Sequence, residues 1–165
     1  MYNKKQYDNI LKSLLNGNMI LCGGNGGSMT DSMHFVAELT GRYNGNTKPY
    51  PALSMCSNQA EISAFGNDYG YDEIFIPYIK AFKRFNPSFL FITTSGSSKN
   101  VLKAINVINN EYDTLENVSI LTSKKCSLNI GKLNILSVDS ENTQTIQEVH
   151  IKILHMLAGD IKEHV

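Results

Sequence analysis

The sequence predicts an α/β fold, a three-layer arrangement in which a doubly wound sheet of five parallel strands is flanked by helices. Short apolar segments alternate with amphipathic segments along the chain, as strands and helices alternate in such folds. Two strand-to-helix connections, at residues 23–27 and 93–98, are rich in glycine or in hydroxyl side chains. In a parallel sheet both connections would lie at the carboxyl ends of the strands, where ligands bind.

Length, charge and cysteine content restrict the class of protein. A chain of 165 residues is long enough for one domain with a substantial core, so we expect a single domain over residues 1–165. Its formal net charge is zero and no cluster of Lys and Arg stands out beyond Lys124–Lys125, so we expect no nucleic-acid partner. No segment resembles a signal peptide or a membrane span, so we expect no membrane association. The three widely spaced cysteines predict a reducing, cytoplasmic setting, with Cys22 and Cys56 as small buried residues.

The first two elements are a helix and a buried strand. The helix is predicted over residues 2–16, within an N-terminal segment 1–17, because its apolar residues recur at helical spacing. Asn16-Gly17-Asn18 would end that helix. The apolar run 19–22 then predicts the first strand.

The stretch after this strand predicts a ligand-binding turn. Four of the five residues 23–27 are glycine, and a helix is predicted to follow, with Ser28 and Asp31 at its N-cap and Gly41 at its end. Glycines allow close approach of a ligand to the backbone, and a helix N-terminus offers free N–H groups to an anion. The stretch lacks the P-loop and dinucleotide-binding patterns. By itself it fits an anionic ligand site and a plain tight turn equally well.

His34 and Glu38 lie four residues apart on this helix and therefore share one face. An imidazole and a carboxylate in that arrangement would bind a metal or move protons. Spacing alone favours the alternative, a surface ion pair.

The middle of the chain supplies a second loop of the same kind. Thr93-Thr94-Ser95-Gly96-Ser97-Ser98 follows an apolar run and precedes a predicted helix, repeating the layout of the first loop. Five hydroxyl groups at a helix N-terminus favour phosphate binding over a Ser-rich linker. The remaining strands are predicted at 51–56, 89–92, 118–122 and 133–138, and the remaining helices at 59–65, 71–85 (with Pro77 as a bend or boundary), 99–111 and 143–163.

Five segments taken together resemble the sugar isomerase (SIS) fold and, within it, the sedoheptulose 7-phosphate isomerases, also called phosphoheptose isomerases. They follow the expected order and span most of the chain: residues 22–28, 33–43, 65–70, 93–98 and 146–155. The Ser/Thr-rich loop marks only the fold. The combination of His34, Glu38, Gln147 and His155 is more specific.

The resemblance implies roles for individual residues. Glu38 would be the catalytic base and His155 the acid. In relatives that bind zinc, one ion per subunit, the ligand positions match His34, Glu38, Gln147 and His155. The positions implied to bind substrate are Asn25, Gly26, Gly27, Ser28, Glu38, Asn67, Asp68, Thr93, Thr94, Ser95, Ser98 and Gln147.

The activity implied by the resemblance is conversion of sedoheptulose 7-phosphate to D-glycero-D-manno-heptose 7-phosphate through an enediol, for lipopolysaccharide or capsule synthesis. A carboxylate suits proton transfer between carbons, and a histidine suits proton exchange between oxygens. A cation would polarise the carbonyl. A zinc-bound Glu or His is a poorer proton carrier. Either the metal therefore leaves during turnover, or it takes over the function of one of the two proton-transferring side chains.

Gln147 and His155 are eight residues apart, roughly 12 Å along a straight helix. The two side chains can therefore reach one small site only with difficulty. We therefore expect a homo-oligomer, a tetramer or a dimer, in which a neighbouring subunit completes the site. His150 lies off this register and is predicted to be a helix-surface or interface residue.

The chain also departs from the family pattern. Its N-terminal helical segment, 1–17, is shorter than in relatives, which makes the tetramer less secure. The loop 123–129 lacks the usual glycines, and Gln144 and Thr145 stand where relatives often have an acid and an arginine. Two alternatives stay open: a non-catalytic SIS module that binds a phosphosugar or a protein, and an isomerase of another sugar phosphate.

Overall fold

A computed structural model describes residues 2–45, 47–112, 114–128 and 130–164 of the chain. Three positions named in the predictions lie outside the described residues. They are Met1 and Val165, the ends of the predicted domain, and Asn129, the end of the loop 123–129. The helices are α1 (Lys4–Leu15), α2 (Gly27–Thr40), α3 (Gln59–Tyr69), α4 (Ile76–Ala81), α5 (Lys99–Tyr112) and α6 (Thr143–Lys162). The strands are β1 (Met19–Gly24), β2 (Ala52–Ser54), β3 (Pro87–Ile92), β4 (Val118–Ser123) and β5 (Asn134–Val138).

The five strands form one parallel sheet in the order β2-β1-β3-β4-β5, which confirms the predicted fold class. From β1 the chain moves outward to β2 and then returns to β3 on the other side of β1. The register pairs Gly24 with Ile92, so the last residues of β1 and β3 lie side by side. The loops that follow these two strands therefore meet at the point where the strand order reverses, the usual ligand position in such sheets.

Two apolar clusters, one on each face of the sheet, make the three layers. One cluster joins the sheet to α1, α2 and α6 through residues such as Leu14, Phe35 and Leu157. The other joins it to α4 and α5 through Ile79 and Ile105. Because both faces are covered, β3 and β4 are buried along their whole length.

Two helix boundaries differ from prediction around residue 70. α3 continues through Gly66 and ends before Gly70, because one glycine inside a helix costs only about 1 kcal/mol. The predicted helix over 71–85 is split into a 3₁₀ turn at Tyr71–Glu73, α4, and a 3₁₀ turn at Lys83–Phe85. Pro77 lies in the first turn of α4, where its missing N–H has no intrahelical partner to lose.

The prediction for His150 is wrong. Its side chain is fully buried between α6 and the sheet, and its Nε2 lies 3.0 Å from the carbonyl oxygen of Thr122 on β4. Burial lowers the pKa of this imidazole, and the hydrogen bond to the carbonyl partly opposes that shift.

In the part of the chain that is described, no helix is both long and apolar enough to cross a bilayer. Cys22 and Cys56 are buried as predicted, and burial raises the pKa of both thiols, which disfavours the thiolate a nucleophile would need.

Candidate active site

The connection from β1 to α2 is built from glycines because the helix starts directly against the sheet. A Cβ on Gly24 would lie 2.7 Å from the Ser28 carbonyl oxygen and 2.8 Å from that of Ile92. Gly26 has φ +55°, a left-handed conformation that side chains disfavour. This conformation turns the chain into α2 at Gly27, so Gly26 is the N-cap and the predicted Ser28 cap is wrong. Ser28 is instead a buried residue of the first helical turn.

The connection from β3 to α5 is held by its own hydroxyl groups and by β4. The Gly96 N–H donates to Thr93 Oγ1 at 3.2 Å, and Thr93 Oγ1 lies 3.4 Å from Ser98 Oγ. The Thr94 carbonyl accepts a hydrogen bond of 2.7 Å from Ser123 Oγ at the end of β4. These bonds fix the loop in an open curve whose hydroxyl groups surround a small space.

The two loops together enclose a cavity of about 80 Å³, called here the loop pocket. Its lining consists of Asn25, Ser28, Ile92, Thr93, Thr94, Ser95, Ser98 and Gln147. Every polar member is a neutral hydroxyl or amide, and such groups can donate hydrogen bonds to an anion. The loop pocket therefore suits a small anionic group.

A second group of side chains lies further along α2, where that helix packs on α6. His34 Nε2 is 3.1 Å from His155 Nε2 and 3.3 Å from Glu38 Oε1, and one ligand atom from each residue lies within 4.8 Å of the others. We call this group the His–Glu–His cluster. Its His34 side chain is about half exposed, whereas the Glu38 side chain is 24% exposed, so the cluster opens to solvent on one side.

The donor set of the His–Glu–His cluster fits zinc. Zinc bound at about 2.0–2.1 Å in a tetrahedral site requires ligand atoms roughly 3.3–3.4 Å apart. The two distances of 3.1 and 3.3 Å come close to that spacing. Two imidazole Nε2 atoms also need a hydrogen or a cation between them, since two lone pairs would otherwise face each other.

Gln147 lies elsewhere on α6. Its side-chain amide rests on Gly27, where a Cβ would overlap it, and it lines the loop pocket. His155 is two helical turns further along, roughly 12 Å, and touches His34 instead. Within one chain, the structure thus brings three of the four predicted metal ligands together and puts the fourth beside the loops.

Asn67 and Asp68 lie exposed on α3, where the Asn67 amide donates to Asp68 Oδ1 at 3.0 Å. The 3₁₀ turn that follows α3 does reach the loops, because the Tyr71 hydroxyl donates to Asn25 Oδ1 at 2.9 Å. Sequence reasoning missed Tyr71 and also Asn100, a buried residue of α5 that pairs with Asn25. The clue for Asn100 was its place in the first turn of the helix that follows the hydroxyl loop.

Comparison with known proteins gives a consistent result. A family model described as "SIS domain" matches residues 4–111. A phosphoheptose isomerase from Helicobacter pylori is 39% identical over 160 residues, which cover 94% of this chain and 80% of that protein. The structure of a phosphoheptose isomerase from Francisella tularensis matches with a TM-score of 0.78 and 28% identity, covering 96% of this chain and 86% of the other. One from Neisseria gonorrhoeae matches with a TM-score of 0.76 and 29% identity, covering 98% and 85%. The similarity extends over nearly the whole chain and does not depend on a single motif.

Proposed function

Because this chain belongs to the phosphoheptose isomerase family of SIS-domain proteins and is an isomerase, we propose that it converts sedoheptulose 7-phosphate to D-glycero-D-manno-heptose 7-phosphate. The observation that carries the proposal is the approach of Glu38 and His155 to each other on α2 and α6, the same two helices that contribute Ser28 and Gln147 to a pocket of neutral hydrogen-bond donors. Isomerisation of a phosphosugar requires an acid–base pair and a separate group of donors that holds the phosphate.

The separation of the two sites supports an extended substrate. On α2, His34 follows Gly27 by seven residues and Glu38 follows it by eleven, so roughly 10 to 16 Å of helix separate the loop pocket from these two members of the His–Glu–His cluster. A sugar with its phosphate in the loop pocket would have to reach that far with its carbonyl carbon. A seven-carbon chain carrying phosphate at one end and the reacting carbons at the other fits this separation better than a shorter sugar phosphate.

In the proposed reaction, Glu38 removes a proton from C1 of the ketose, and the resulting enediol takes a proton back at C2. At the same time the C1 hydroxyl loses its proton and becomes the aldehyde oxygen, while the C2 oxygen gains one. His155 carries this second proton between the oxygens, a role that suits an imidazole because its ring nitrogens can both accept and donate a proton. No atom is gained or lost overall.

His34, Glu38 and His155 would hold a zinc ion, one per subunit, with Gln147 as the fourth ligand. When bound, zinc would supply polarisation of the substrate carbonyl, and Glu38 and His155 would carry protons only while they are not metal ligands. His34 is the cluster member to which no proton transfer is assigned, so its part in the proposal is to bind the metal and to keep the His155 ring in place through their 3.1 Å contact.

Gln147 and His155 face different parts of α2, which supports a homo-oligomer, a dimer or a tetramer, in which one subunit completes the site of another. We also propose a cytoplasmic enzyme, because its three cysteines are free thiols. Its product would serve lipopolysaccharide or capsule synthesis.

The deciding experiment incubates the purified protein with sedoheptulose 7-phosphate and follows formation of the aldose phosphate. Turnover with that substrate is expected. Binding of the sugar phosphate without turnover would favour a non-catalytic SIS module, and turnover of a different sugar phosphate would replace the substrate proposed here.

A further inference from the structure

Asn25 and Asn100 form a reciprocal pair of amides that connects the two loops. Asn25 Nδ2 donates to Asn100 Oδ1 at 2.9 Å, and Asn100 Nδ2 donates back to Asn25 Oδ1 at 2.8 Å. The Asn100 side chain is 2% exposed, and its Oδ1 also accepts from the Val101 N–H at 3.0 Å. The orientation of the Asn100 amide is therefore set by its buried surroundings.

The hydrogen bonds of Asn25 leave one group of its amide available. Its oxygen accepts from Asn100 Nδ2 and from the Tyr71 hydroxyl, which uses both lone pairs. Its nitrogen carries two hydrogens, and one of them is donated to Asn100. Among the described residues, none accepts the second hydrogen. Since an amide is planar, this N–H points away from Asn100, and Asn25 lines the loop pocket.

We propose that Asn100 and Tyr71 are positioning residues: they hold the Asn25 amide so that it presents an N–H, and not its oxygen, to the phosphate of the substrate. The inference rests on the proposed binding of a phosphorylated sugar in the loop pocket. It adds two residues that act through Asn25 and that need not touch the substrate themselves.

The orientation of this amide matters because the loop pocket has no charged lining residue among those described. A phosphate there would be held only by neutral donors, so each donor contributes a large share of the binding. An Asn25 amide turned by 180° would replace a donor with an oxygen lone pair that repels the anion. The paired amide and the tyrosine hydroxyl both oppose that rotation.

The test is a double-mutant cycle on phosphate affinity. Dissociation constants for inorganic phosphate are measured calorimetrically for the wild-type protein, Asn25→Ala, Asn100→Leu and the double variant; leucine resembles asparagine in size and adds no charge. Asn100→Leu is expected to weaken binding about tenfold, as for a lost hydrogen bond to a charged group. In the Asn25→Ala background the same change is expected to alter affinity by no more than about twofold, because its effect passes through Asn25.

Tyr71→Phe provides a second variant. It removes one hydroxyl from a half-exposed side chain, so we expect little loss of folding stability. It is expected to weaken phosphate binding about threefold, within the range for one neutral hydrogen bond. Tyr69→Phe, an even more exposed tyrosine two residues away, is the matched control and should leave affinity unchanged. With sedoheptulose 7-phosphate, Tyr71→Phe should raise KM and leave kcat nearly unchanged.

The outcomes separate this inference from the proposed function. Wild-type protein that binds phosphate but does not isomerise the sugar would contradict the function alone. If Asn100→Leu weakens phosphate binding equally in the wild-type and Asn25→Ala backgrounds, the inference is overturned while the function stays intact. A Tyr71→Phe variant with wild-type phosphate affinity would have the same consequence. Wild-type protein that binds no phosphate at all would overturn the inference too.

Discussion

The Nε2 atoms of His34 and His155 lie 3.1 Å apart although 121 positions separate the two residues in the chain. The contact exists because α2 and α6 lie on the same face of the sheet and pack on each other, with Gly27 beside Gln147 at one end and Tyr43 beside Gly159 at the other. One helix contributes His34 and Glu38, and the other contributes His155. The pairing of these helices thus assembles the His–Glu–His cluster, which neither helix carries alone.

Replacing Glu38 by glutamine tests the proposed base. The variant keeps the size of the side chain but loses its ability to take a proton. We therefore expect kcat for sedoheptulose 7-phosphate to fall by about 10²- to 10⁴-fold. Affinity for inorganic phosphate should stay near the wild-type value, since the loop pocket is untouched. Glu148→Gln, on the exposed side of α6, is the control. A Glu38→Gln enzyme with more than a tenth of wild-type activity would exclude Glu38 as the base.

Elemental analysis tests the metal proposal. Protein purified without chelator is expected to hold about one zinc per subunit, and His34→Ala or His155→Ala should lose most of it because each removes one of the two imidazole ligands of the site. His164→Ala, which alters an exposed histidine at the end of the chain, should keep the full content. Dialysis against a chelator should remove zinc from the wild-type protein. Zinc content that is unaffected by both cluster variants would place the metal elsewhere.

Gly27→Ala tests the contact between α2 and Gln147. The added methyl group would overlap the Gln147 amide, so this side chain must leave its place in the loop pocket, and KM for the phosphorylated substrate is expected to rise about tenfold. The control is Gly66→Ala on α3, where no atom lies within 4 Å of the new methyl group. That control should raise the unfolding free energy by about 0.5–1 kcal/mol, since alanine favours a helix. Unchanged KM in Gly27→Ala would argue against a role for the Gln147 position in binding.

Acid sensitivity tests the buried environment of His150. Its pKa is lowered in the folded protein, so between the ordinary value near 6.5 and the lower folded value the unfolded chain binds a proton that the folded chain does not. Folding stability should be fully present above pH 6.5 and should fall as pH drops through that window, with a slope of up to about 1.4 kcal/mol per pH unit from this group. His150→Gln, which retains a donor for the Thr122 carbonyl, should remove this contribution.

The measurement is the denaturant midpoint of both proteins between pH 5 and 8, with the exposed His164→Gln variant as control. If His150→Gln and the wild-type protein lose stability in parallel over that range, the imidazole does not titrate as its burial indicates.

Local sequence signals were sufficient for most of the fold. Apolar runs marked β1, β3 and β4, and the glycine and hydroxyl loops identified the edge of the sheet where the loop pocket lies. The failures came from competing local signals. The glycine at position 66 favours a helix end, yet α3 runs through it. The hydroxyl of Ser28 favours a cap, yet Gly26 with its positive φ begins α2 earlier.

The case of His150 shows a different limit. The periodicity of α6 does contain the necessary signal, because His150 falls on the buried stripe formed by Ile146, Ile153 and Leu157. Relative to the helix face that carries Gln147 and His155, however, position 150 points in a different direction, which predicts a surface residue. α6 packs on α2 with one face and on the sheet with another, so two sets of positions are buried, and one register could not describe both.

By itself, the sequence determined the parallel α/β fold, the two anion-suited loops and the residue types of the proposed acid–base pair. These properties are local, because strand and helix periodicity and turn chemistry depend on residues within a few positions of each other. Only the tertiary structure decided that His155 meets His34 while Gln147 lies against Gly27, and that Asn100 and Tyr71 hold Asn25. Such pairings join residues tens of positions apart, and their distances follow from how helices and strands pack to bury apolar surface across the whole chain.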